Sequence, residues 1–174
     1  MSSSTLSGMP SEVSTSLQAA ATTLTLTGLN GDLDGDYRII MDINIAVSST
    51  VIALLVNGSE TNLDWFCSNG SVGGTTRTDW KFCQNGSSPT TWSAGDFIQF
   101  RGHINARSGR VRSLSTETFY AMKLGSKTAF ISSGRYNDST TNITSFGISA
   151  NQTNGLASGT YIRFVRSPTS NPLA

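Results

Sequence analysis

The 174-residue sequence predicts an all-β fold, a β-sandwich wound as a jelly roll of about eight to ten strands. Three observations predict it. Charged residues make up only 13% of the chain, about half the usual ~25%, and Ser, Thr, Asn and Gly supply the polarity instead. Apolar residues recur with period two rather than with the 3.6 period of a helix. Gly and Asn punctuate the chain at short, regular intervals, which suits turns between short strands. At this length roughly 70% of the unfolded surface can be buried, so the fold needs no staple. An immunoglobulin-like sandwich is the second choice, although ~100 residues would suffice for it.

The elements follow in order. Residues 1–20 are Ser/Thr-rich and lack an apolar stripe, so they read as an arm ordered by a partner. Thr23-Leu24-Thr25-Leu26-Thr27 alternates and is a half-buried strand. The Gly28–Asp36 segment is a Gly/Asp turn. It leads into the clearest strand, where Tyr37, Ile39, Met41, Ile43, Ile45 and Val47 face one way and Arg38, Asp42 and Asn44 the other, with Ile39, Met41, Ile43 and Ile45 expected in the core. Thr50–Val56 is apolar on both faces and predicts a buried central strand, ended by the Asn57-Gly58 turn. Residues 57–95 read as short strands joined by exposed loops. Asp96–Ile104 is a strand with Ile98, Phe100 and Ile104 inward, followed by a basic turn over Asn105–Arg112. Further strands are expected at Thr118–Leu124, Thr128–Ser132, Asn142–Ser149 and Thr160–Arg166. The expected organisation is an arm over 1–20, a sandwich over 21–166 and a tail over 167–174.

Composition narrows the function. A net charge of +1 gives no general attraction to nucleic acid or membrane. The N-terminus lacks the basic start and apolar run of a secretory signal, so synthesis in a cytosol is expected. There Cys67 and Cys83 are expected as free thiols, with a disulfide between them the second option. Asp32, Asp34 and Asp36 have the alternate spacing of a calcium loop. Counted from Asp32, however, Tyr37 stands at the sixth position where Gly is needed, and Ile43 at the twelfth where Glu is needed. No metal and no cofactor are expected. His103 is the single histidine, no Gly-x-Ser-x-Gly elbow accompanies it, and no enzyme activity is expected.

Two groups of residues remain as candidate sites. Arg101, His103, Arg107, Arg110 and Arg112 form the most uneven charge in the chain. They read either as a solvated basic turn or as a patch that docks on an acidic protein surface. Trp65, Trp80 and Trp92 lie near Asp64, Asp79 and Asn85, a setting that suits sugar stacking as well as ordinary packing.

Two segments carry a family likeness. One is Leu26-Thr27-Gly28-Leu29-Asn30-Gly31-Asp32-Leu33-Asp34-Gly35-Asp36-Tyr37-Arg38-Ile39, continued by Leu54-Leu55-Val56-Asn57-Gly58 and Thr61-Asn62. The other is Asn142-Ile143-Thr144-Ser145-Phe146-Gly147-Ile148, continued by Gly155-Leu156 and Gly159-Thr160-Tyr161-Ile162-Arg163-Phe164. Together they resemble the jelly-roll structural proteins of tailed bacteriophages, over roughly residues 24–166. Residues 63–125 carry no such mark. The resemblance implies a virion component without an active site, assembled in the host cytoplasm and often trimeric. A chain of one module with an arm and no stalk looks most like a capsid decoration protein bound to the major capsid protein or to other virion proteins. The alternative is a receptor- or carbohydrate-binding module of a tail or fibre.

Overall fold

The computed structural model describes residues 12–60, 63–68, 75–77, 91–123 and 126–166, with backbone alone over 63–68, 75–77, 116–123 and 126–132. Among these residues there are eleven strands and one single-turn helix. The strands are β1 (Glu12–Ser16), β2 (Thr23–Thr27), β3 (Asp36–Asn44), β4 (Ile52–Val56), β5 (Leu63–Ser68), β6 (Thr75–Arg77), β7 (Phe97–Asn105), β8 (Arg112–Lys123), β9 (Ser126–Tyr136), β10 (Ser145–Ala150) and β11 (Tyr161–Arg166). Helix α1 (Gly31–Asp34) sits between β2 and β3.

Two antiparallel sheets pack as a sandwich. The large one has the order β1-β11-β3-β7-β8-β9-β5-β6 and the small one β2-β10-β4. The winding is that of a jelly roll. The first two strands pair with the last two, β1 with β11 and β2 with β10, and β3 and β4 then add beside β11 and β10. Strands β7 to β9 extend the large sheet by antiparallel neighbours. A bulge opposite Arg101/Gly102 sets two registers along β8.

The core follows from alternation. Tyr37, Ile39, Met41 and Ile43 on β3, Ile98, Phe100 and Ile104 on β7, and Ile162 and Phe164 on β11 all point inward and are buried. They meet Leu24 and Leu26 of β2, Ile52, Leu54 and Val56 of β4, and Phe146 and Ile148 of β10. Phe164 lies edge-on to Tyr37 at 5.4 Å and tilted against Phe146 at 5.0 Å, which ties the centre of one sheet to the other. All five residues of β4 are buried, as an apolar run on both faces requires. In the described order β4 lies at the end of its sheet rather than at its centre.

Three expectations are corrected. The arm over 1–20 does not extend that far: Glu12–Ser16 is strand β1, and Val13 and Leu17 pack against the core. Its apolar content is too low to announce a strand, but β11 offers an open edge whose backbone groups need partners. Val47 does not continue the inward row of β3, because the strand ends at Asn44 and Val47 is exposed. The strand expected from Thr118 begins six residues earlier, at Arg112, which shortens the basic turn.

Candidate docking surface

The outer face of the large sheet is set by the even-numbered residues of β3 and the odd-numbered residues of β7 and β11. Register places them in rows. In one row Val165, Arg38 and His103 are successive cross-strand neighbours, with Ser115 beyond. In the next, Ile40 lies between Arg163 and Arg101. In the third, Asp42 lies between Tyr161 and Gln99. Arg38 and His103 are exposed, and the other side chains of these rows on β3, β7 and β11 are half-buried. Arg101 reaches Asp42 at 2.9 Å and also donates to the carbonyls of Met41 and Phe100. Arg163 pairs with Glu12 of β1 at 3.6 Å.

At the Arg38–His103 end, three loops close the sandwich: α1 with its flanks, residues 106–111 and residues 137–144. Asp32 accepts from the Ser108 amide at 2.7 Å, and Gly109 N donates to the Ser139 carbonyl at 2.7 Å. Asn142 accepts from Asp32 N at 3.2 Å and donates to Asn30 at 3.0 Å. Gly31 permits the closeness of the first two loops, since a Cβ there would stand 2.6 Å from the Ala106 carbonyl oxygen. The Thr141 hydroxyl, then the amides of Thr141 and Thr140, donate to Asp138 and hold its carboxyl far below the usual carboxylate range. The Ser108 hydrogen bonds lower the pKa of Asp32, helped by Arg112 and Arg107.

The three acids of the would-be calcium loop therefore diverge. Asp32 caps Ser108, and Asp34 accepts from the Tyr37 hydroxyl and pairs with Arg166 at 3.0 Å. Asp36 enters β3 opposite Asn105. Burial, then the Asp34 bond, pushes the Tyr37 hydroxyl well above its ordinary pKa. Among the described residues no group of three His, Cys, Asp or Glu side chains is placed to hold a metal.

The expected basic patch is divided. Arg101 and His103 stand on the sheet, Arg107 is half-buried and Arg110 exposed on the adjoining loop. Arg112 is a correction: it is fully buried. Its guanidinium donates to the carbonyls of Asp138 at 2.8 Å and Arg107 at 3.3 Å and lies over the Tyr136 ring. It is the first residue of β8 and takes the inward phase shared with Leu114. The residues missed are Arg38 and Arg163, which β3 and β11 bring beside Arg101 and His103. Their signal is that each alternates with an inward apolar residue.

The tryptophan set is also corrected in part. Trp92 bridges Thr50 by paired backbone bonds and is buried in the core, so its ring cannot stack on a sugar. Trp80, the Trp65 side chain, the Cys67 side chain and Cys83 lie outside the described residues, as do residues 1–11 and the 167–174 tail.

No protein-family model matches the chain, and no curated protein matches it. Among solved structures, the crystal structure of the Emp47p carbohydrate recognition domain is similar to it, with 9% identity over 91% of this chain and 90% of that one and a TM-score of 0.28. At that TM-score the likeness carries no argument about this chain.

Proposed function

We propose that this chain is a non-enzymatic structural protein of a tailed-bacteriophage virion. It decorates the capsid as a homotrimer and docks on an acidic surface of the major capsid protein or of another virion protein. The observation that carries this reading is the row of Arg38 and His103 with Arg101 and Arg163 behind it, held on one face of a jelly roll by strand register. A β face whose arginines are fixed by the ladder meets a complementary acidic surface without ordering a loop first. The sequence likeness to phage jelly-roll proteins supports the same reading. Three copies in a ring would raise weak single-site docking through effective concentration.

The test is to add labelled chain to particles assembled without it and to locate it by electron microscopy. Saturable binding on the head, weakened as salt rises, supports decoration. Label at the tail or fibre would replace decoration with the receptor-binding alternative, and a monomer on and off the particle would remove the trimer.

A further inference from the structure

We infer that β2 is a self-pairing edge: two copies of the chain join about a two-fold axis by antiparallel pairing of Thr23–Thr27 with the same strand of the second copy. The inference stands apart from the docking reading. A two-fold contact does not build a ring of three; it joins a chain of one ring to a chain of the next. Strand β2 ends the small sheet. The Ala150 amide donates to the Thr22 carbonyl at 2.8 Å, so in the same register Leu24 and Leu26 also turn their backbone groups toward β10. The amides and carbonyls of Thr23, Thr25 and Thr27 point the other way, where no described strand pairs with them. Their side chains are exposed, while Leu24 and Leu26 are buried in the core. The open stretch has definite ends: Ala21 bridges Leu156, and Gly28 turns the chain with a φ of 81°.

The other sheet ends are guarded. Strand β4 has its outer edge closed at Thr50 by Trp92 and at Val56 by Ser59. Strand β6 includes Arg77, and β1 carries Glu12, paired with Arg163. Strand β2 has no charge, no proline and no bulge, and no charged residue occurs from Val13 to Gly31. An edge without these guards is a template for another strand. Its sequence and phase select a second copy as that strand. Thr-Leu-Thr-Leu-Thr reads the same in both directions, so antiparallel pairing about Thr25 sets Thr opposite Thr and Leu opposite Leu. Thr25 then exchanges both backbone bonds with Thr25 of the second copy, and Thr23 with Thr27, so every open amide and carbonyl gains a partner. The leucines of both copies stay on the core side, which keeps the phase of the sheet across the axis. Neutrality completes the match, because no like charges face each other across the axis. A five-residue strand pair covers far less than the ~1,000 Å² of a lasting interface, so the contact serves chains already held close together on one surface.

The experiment uses the full chain. Its weight-average mass in sedimentation should rise as concentration is raised from micromolar to millimolar. Thr25→Lys sets lysine opposite lysine and should weaken this association about fivefold. The melting temperature should not move, since Thr25 is exposed. Mixing the Thr25→Lys chain with the Thr25→Glu chain should restore association, because opposite charges then meet across the axis. Mixing it instead with the Val47→Glu chain, which has the same net charge as Thr25→Glu, should not. A parent mass that stays flat overturns the inference. So does equal association by the parent and Thr25→Lys, or restoration by Val47→Glu as complete as by Thr25→Glu.

Discussion

Arginines on the sheet face and arginines at the loop end meet opposite fates in this molecule. Arg101 lies half-buried on the outer face and shares its charge with Asp42 across the ladder. Arg112, only eleven positions later in the chain, is sealed in the interior and spends its donors on backbone carbonyls. The difference comes from strand phase and from what the loops require. On β7 the odd positions next to Arg101 face outward, whereas the first position of β8 faces in. There the second and third loops leave carbonyls that need a donor, and a guanidinium is long and forked enough to serve both. A cation thus pairs with an acid on the sheet surface in one region and clamps two loops in the other.

The largest effect that sharpens this contrast lies in the sheet itself. Ile43 points inward and Ile40 outward on the same strand. Ile43→Ala should cost about 2–5 kcal/mol and Ile40→Ala well under about 1 kcal/mol, read by urea unfolding. Equal losses would mean that the outer face is part of a core. Next comes Arg112→Ala, which strips two carbonyls of their donor and should cost about 3 kcal/mol, while Arg101→Ala should cost no more than about 1 kcal/mol. If Arg101→Ala destabilises as much as Arg112→Ala, the division of the arginines fails.

A smaller effect concerns acid. The pKa of Asp138 in the folded chain is depressed by the Thr141 hydroxyl and by the Thr141 and Thr140 amides, so its contribution is full above the ordinary carboxylate value. That contribution is lost as pH falls from the ordinary carboxylate value through the depressed folded value, because the unfolded chain takes up the proton first. Asp138→Asn should therefore flatten the acid limb of a stability-against-pH curve. A parallel curve for variant and parent would show that the third loop owes nothing to this carboxylate.

Much of the fold was legible because its central strands state their phase. The inward rows of β3, β7 and β11 follow from alternation alone, and the buried β4 from an unbroken apolar run. What stayed hidden depends on partners distant in sequence. Strand β1 has one Val among polar residues and exists because β11 needs a neighbour. Arg38 and Arg163 join Arg101 only through pairings that span more than sixty positions and, on the β11 side, more than a hundred. Trp92 looked like a loop aromatic because its bridge to Thr50 leaves no local pattern. Arg112 looked like part of a turn because its strand begins on a charged residue.

The most direct test of docking is an electron-microscopy map of intact particles, fine enough to orient this domain on its neighbour. If the docking reading holds, the Arg38–His103 row with Arg101 and Arg163 behind it lies within contact distance of carboxylates on the neighbouring virion protein. A map in which the outer face of β2 and β10 makes the contact, while the Arg38–His103 row points to solvent, would contradict it.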